Sequence, residues 1–234
     1  MKPVILSSCP PVLLSSCPPV LLSSCHPVTT RPMQLDLDNI SIDYGSRRVI
    51  AGASLTLRAG EVLVVAGSNG SGKSSLLRVL AGLQRPSAGS VSYLVDAQRY
   101  RPEQAGWLIG WVAPDLQLYR ELSALENLTF FAQVRGLHST RTELDALLEE
   151  VGLGGRGDDV LATFSSGMAY RLRYAYALLH QPPVLLLDEP TVTLDERGAA
   201  LVERVIARQR SRGLAVIATN DARELRYGDY VLRL

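Results

Sequence analysis

The chain has 234 residues and a formal net charge of +1, with 47% apolar, 20% charged and 6% aromatic residues. This composition suits one or two folded domains and excludes a collagen-like or wholly disordered chain. The balanced charge argues against a dedicated nucleic-acid binder, and no run of about 18 apolar residues reads as a membrane span.

Residues 4–27 repeat an eight-residue unit, VILSSCPP, VLLSSCPP, VLLSSCHP, which takes all three cysteines, Cys9, Cys17 and Cys25. Proline at this density breaks both helix and strand, and the period is shorter than that of any stacking repeat. Leu-Ser-Ser-Cys resembles a lipoprotein cleavage box, but the prolines interrupt the apolar core that a signal peptide needs. No histidine pair or second cysteine cluster completes a metal or disulfide module. Residues 1–32 are therefore expected to be a disordered leader, with a mis-assigned start as one origin, and residues 33–234 to be the folded part. That part lacks cysteine, which fits a reducing cytoplasm.

Gln34–Asp38 and Ser54–Arg58 alternate polar and apolar residues and predict half-buried strands. Glu61–Ala66 predicts a buried strand entering a glycine-rich turn, and a helix is predicted from Ser74 to a C-cap at Gly82. Trp107–Val112 predicts a strand and residues 123–151 predict helix. Within that stretch Thr140 and Glu143 form a capping box, and Leu144, Leu147, Leu148 and Val151 form one apolar stripe. Leu172, Ala175, Tyr176 and Leu179 mark a further helix, followed by strand over Val184–Leu187, helix over 196–209 and strand over Leu214–Ala218. Strands alternating with helices imply an α/β fold with a mostly parallel sheet, interrupted by a helical subdomain at residues 113–180.

Gly67-Ser68-Asn69-Gly70-Ser71-Gly72-Lys73-Ser74 fits the P-loop pattern between a buried strand and a helix. The glycines let successive backbone N–H groups curl around phosphate oxygens, and the helix N-terminus adds a favourable dipole. Lys73 is expected to bridge the β- and γ-phosphates and Ser74 to ligate Mg2+, with Ser75 beside them among the nucleotide-binding residues. Lys73 is also the only lysine after residue 32; every other basic residue there is arginine. Downstream, the apolar strand Leu185–Leu187 delivers Asp188 and Glu189. Asp188 is expected to hold the magnesium through water and Glu189 to polarise the attacking water as general base.

At this point the chain resembles the ATP-binding subunit of ABC transporters over essentially all of residues 33–234. The resemblance implies a P-loop NTPase fold of ABC type: a mixed, mostly parallel core sheet, an N-terminal antiparallel part and a helical signature subdomain. Phe164-Ser165-Ser166-Gly167-Met168 stands ahead of the acidic strand and looks like the family signature, usually Leu-Ser-Gly-Gly-Gln. In that family this helix start caps the γ-phosphate of ATP held by the opposite subunit, so Ser165, Ser166, Gly167 and Met168 are assigned to nucleotide across a dimer. A Ser-Ser-Gly turn before a helix is also an ordinary N-cap. Tyr44, before Gly45, resembles the aromatic that stacks on adenine, although it also reads as a plain turn tyrosine. Thr191–Asp195 resembles the loop that communicates across the dimer, and Asp195 is counted as a nucleotide contact. Leu122–Phe131 resembles the start of the subdomain that touches the membrane subunits.

Two departures from the family pattern stand out. Pro114 falls where the family has a Gln that touches magnesium and water, unless Asp115 substitutes. Asn220, in Ala218-Thr219-Asn220-Asp221, replaces the switch histidine; an amide can donate to the γ-phosphate but carries no charge. With Lys73 and Glu189, Asn220 completes the expected catalytic set, and ATPase turnover is expected to be slow. The resemblance implies an ATPase that dimerises on ATP and energises separate membrane-spanning subunits from the inner, cytoplasmic face of the plasma membrane. The compact size is similar to haem-exporter-type subunits, so export is expected over import. A soluble ATP-gated clamp and a weakly hydrolysing partner in an asymmetric heterodimer are the alternatives. A P-loop kinase or GTPase has no use for the signature.

Overall fold

A computed structural model of the chain describes residues 33–192 and 196–234, so the expectations for the leader and for Asp195 lie outside the described residues. Two sheets organise the molecule. The first is antiparallel: β1 (Met33–Tyr44) pairs with β2 (Arg47–Arg58) through a two-residue turn at Gly45, whose φ is 59°. Strand β3 (Val62–Ala66) and helix α1 (Lys73–Leu80) follow, and β4 (Ala88–Val95) and β5 (Gln98–Tyr100) complete the first sheet in the order β2-β1-β4-β5.

The second sheet runs β6 (Ile109–Val112), β7 (Val184–Asp188), β8 (Leu214–Thr219), β3 and β9 (Tyr230–Arg233), and every pairing in it is parallel. The antiparallel strands thus form a sheet of their own beside a wholly parallel one. Between β6 and β7 lie α2 (Ala124–Val134), α3 (Arg141–Glu150) and α4 (Ser166–Leu178), and α5 (Glu196–Arg210) joins β7 to β8. Capping boxes start α2 and α3, at Ser123/Glu126 and Thr140/Glu143. The stretch expected to be helical divides into two helices: Gly136, φ 69°, follows the C-cap of the first, and the expected capping box at Thr140 starts the second. Strand β6 begins two residues later than expected. Trp107 lies in a 3-10 turn, half exposed, with its ring edge-on to Tyr100 at 5.7 Å.

The period of two in each buried strand sorts its residues onto two cores. Val62, Val64, Leu185, Leu187, Ala215 and Ile217 face α2 to α5. Leu63, Val65, Leu186, Val216 and Ala218 face α1 and the antiparallel sheet. Each of these fully buried Leu, Ile or Val side chains contributes about 1.5–3 kcal/mol relative to exposure. The same alternation carries Asp188 onto the α1 side, the side of the glycine-rich loop. No helix among the described residues is long and apolar enough to cross a membrane.

Candidate nucleotide site

The turn from β3 into α1 is shaped by glycine. Gly70 and Gly72 have φ of 80° and 109°, a region other residues enter only with strain, and a Cβ at Gly72 would press on Val49 at 3.1 Å. Gly72 is also the N-cap of α1 and offers the first-turn amides no side-chain acceptor. Those donors are left for a ligand.

Around this turn the fold gathers a cleft of about 450 Å3 lined by Tyr44, Arg47, Asn69, Gly70, Lys73, Ser74, Ser75, Pro114, Asp188 and Glu189. Lys73 is 6% exposed; its Nζ donates to the carbonyls of Gly67 (2.9 Å) and Ser68 (3.1 Å) and lies 3.3 Å from Glu189 Oε1. Glu189 Oε2 accepts from the Asn220 N–H at 3.3 Å, and the Asn220 amide donates to Asn69 Oδ1 at 3.1 Å. The loop after β8 therefore ties the turn at Glu189 to the glycine-rich loop. Glu189 itself adopts φ 49°.

Asp188 is buried, and its Oδ1 has no hydrogen-bond partner in the protein. Burial raises its pKa; the Ser74 hydroxyl opposes the shift, while the neighbouring Glu189 charge adds to it. Ser74 and Asp188 both line the cleft, and with one Asp188 oxygen left without a protein partner they form the hard-oxygen pair that suits Mg2+. Tyr44 Oη is 2.8 Å from Ser75 Oγ and donates to Gln84 Oε1 at 3.2 Å, leaving its ring half exposed at the rim. Gly67, Ser68 and Ser71 complete the loop, with the Ser71 hydroxyl buried inside it.

The signature residues lie elsewhere. Ser165 is the N-cap of α4, its Oγ accepting from Met168 N at 3.2 Å, and none of Ser165, Ser166, Gly167 or Met168 lines the cleft. Pro114 does line it, while the Asp115 carboxylate points into solvent 3.7 Å from Arg78. The proline is therefore the residue presented to the site.

Several participants escaped the sequence reading. Arg47 donates to Gly70 O at 3.1 Å from the hairpin turn, a contact that only the tertiary fold creates. Tyr170 and Tyr174, inside α4, donate to the backbone carbonyls of Asp188, Glu189 and Pro190. Glu224 is 3% exposed and accepts from Thr191 Oγ1, joining the loop after Glu189 to the segment after Asn220. The Tyr-x-x-x-Tyr step, which sets both rings on one helix face, was a signal available for the tyrosines.

Comparison with known proteins agrees with this geometry. The family described as ABC transporter matches residues 50–192. The uncharacterized ABC transporter ATP-binding protein YhcH of Bacillus subtilis is 38% identical over 190 residues, covering 80% of this chain and 61% of that protein. The cytochrome c biogenesis ATP-binding export protein CcmA of Methylococcus capsulatus is 37% identical over 184 residues, covering 78% of this chain and 88% of CcmA. Among solved structures, one described as the ATP binding subunit of an ABC transporter superposes with a TM-score of 0.72 at 27% identity, covering 86% of this chain and 85% of the other. The chain thus spans about three-fifths of the length of its longer relatives.

Proposed function

Because this chain belongs to the ABC transporter family of ATP-binding proteins, we propose that it binds and hydrolyses ATP to drive a membrane-spanning partner. The observation that carries this reading is the single cluster in which Lys73 Nζ, Glu189 and Asn220 meet beside the unpartnered Asp188 oxygen.

Triphosphate oxygens take the first-turn amides of α1 and draw Lys73 Nζ from the carbonyls of Gly67 and Ser68. Tyr44 offers its exposed ring to the adenine. Ser74 Oγ and Asp188 would hold the Mg2+ that accompanies the nucleotide and that supplies neutralisation of its phosphate charge. Glu189 accepts the proton of the attacking water, and Asn220 donates its amide toward the γ-phosphate while its backbone N–H steadies Glu189. The neutral amide and the aprotic Pro114 side chain make turnover slow. Losing one charge-assisted contact costs on the order of 1–3 kcal/mol, or about 10- to 100-fold in rate.

Ser165 and Gly167 cap the nucleotide of a second subunit, identical or related, since they lie outside the cleft of their own chain. The helical block at 113–180 docks on the membrane-spanning chains, which places this subunit peripherally on the inner face of the membrane. The export named in its CcmA relative favours export as the direction.

The test is Glu189→Gln in the full chain. With the base disabled, saturating Mg-ATP should drive monomers into a stable dimer by light scattering, while hydrolysis falls about 100-fold or more. A variant that stays monomeric and empty of nucleotide would overturn the reading.

A further inference from the structure

The turn that carries Glu189 is held from below by the helix that carries the signature. Positions 170, 173 and 174 are spaced i, i+3 and i+4, so their side chains leave α4 on one face. Tyr170 is 1% exposed, and its hydroxyl donates a shared hydrogen bond to Glu189 O (2.9 Å) and Asp188 O (3.2 Å). Tyr174 is fully buried, and its hydroxyl donates to Pro190 O at 2.9 Å. The two rings meet edge to face at 5.8 Å. Three consecutive carbonyls, of Asp188, Glu189 and Pro190, thus rest on two tyrosine hydroxyls of one helix. Arg173 extends the same face: its guanidinium lies over the Tyr170 ring at 5.5 Å and donates to Pro114 O at 2.6 Å. Burial raises the pKa of both phenols, so both remain proton donors across the working pH range.

From this arrangement we infer that Tyr170 and Tyr174 are positioning residues that aim Glu189 by pinning its backbone, with Arg173 carrying the same hold to the Pro114 wall of the cleft. Residue 189 has a backbone conformation that its own side chain does not favour, so its orientation is set from outside. The hydroxyls supply that setting. The inference deepens the ATPase reading and rests on it.

Tyr170→Phe keeps the ring, the edge-to-face contact and the cation–π stack while deleting the hydrogen bond. In the full chain with Mg-ATP, kcat should fall about 5- to 20-fold, with KM changing less than about twofold. Tyr174→Phe, one residue further from Glu189, should lower kcat about 2- to 5-fold. The discriminating measurement is a double-mutant cycle by single-turnover hydrolysis. In a Glu189→Gln background Tyr170→Phe should add less than a twofold loss, because the side chain that it aims is already disabled. An equal loss in both backgrounds, or unchanged kcat with only a lowered melting temperature, overturns the inference and leaves the ATPase reading standing. Should Tyr170→Phe fail to fold, Tyr174→Phe carries the same cycle with the same two outcomes. A wild-type chain that neither binds nor hydrolyses ATP sinks both.

Discussion

Two helices of this protein start at segments rich in serine and glycine, and their first turns are finished differently. α1 starts at Gly72, in left-handed backbone, with no side chain turned back onto its amides and with the buried Lys73 as its first residue. α4 starts at exposed Ser165, in extended backbone, and its own hydroxyl occupies the Met168 amide. The first is ringed by Arg47, Asp188 and Glu189; the start of the second, Ser165–Met168, lines no part of that cleft. A glycine–serine run before a helix therefore becomes an anion cradle only where a strand end and a buried cation surround it. Elsewhere it is an ordinary capped helix start.

The sharpest way to break this contrast is Lys73→Ala. Removing the buried cation from the α1 cradle should weaken nucleotide binding at least about 100-fold, near 2.7 kcal/mol, by equilibrium titration. Affinity within about threefold of wild type would make the two helix starts equivalent. Next in size, Asn220→His places an ionisable ring beside Asn69 and Glu189, and should raise turnover about 10- to 100-fold at saturating Mg-ATP. An unchanged or lower rate would show that the α1 site does not lack a charge there.

Ser165→Ala addresses the other helix start. It removes a side-chain cap and should cost about 1 kcal/mol in denaturant unfolding while leaving nucleotide binding to the monomer unchanged. A loss of monomer binding would mean that the α4 start contributes to its own cleft after all.

The smallest effect is expected from Asp188→Asn without nucleotide. The folded carboxyl has a raised pKa, so between about pH 4 and that value the folded state binds more protons than the unfolded one. Stability then falls as pH rises through this window and is lowest above it. The asparagine variant should melt higher than wild type at pH 7, and the difference should vanish as the pH approaches 4. A gap that widens on acidification would refute the burial cost assigned to Asp188.

Local chemistry made much of this legible from residues alone. The P-loop, the acidic strand end and the N-cap at Ser165 each depend on neighbours within about eight positions, and all stand where the pattern placed them. Strands β4, β5 and β9 went unread. β4 opens with Ala88-Gly89-Ser90, which carries little strand propensity and is recruited by pairing with β1, a partner some 50 residues away in sequence. β9 is a short edge strand paired only with β3, so it shows no buried apolar run. Arg47 and Glu224 join the machinery solely through contacts across the fold, at 23 and 33 residues' separation. Tyr170 and Tyr174 were hidden because a helical sequence does not show which of its hydroxyls reach a backbone carbonyl. The site's inner wall was therefore visible in advance, and its supports were not.

Glu189 has a φ of 49°, a conformation that glycine adopts freely and that costs a glutamate about 1 kcal/mol. Directed evolution scored on heat resistance alone should push this codon toward glycine wherever the strain relieved exceeds the lost contact with Lys73. Its winners would be sturdier, still able to hold nucleotide, and idle. Any campaign to harden this protein has to assay phosphate release alongside melting, because at this one position the two selections point in opposite directions.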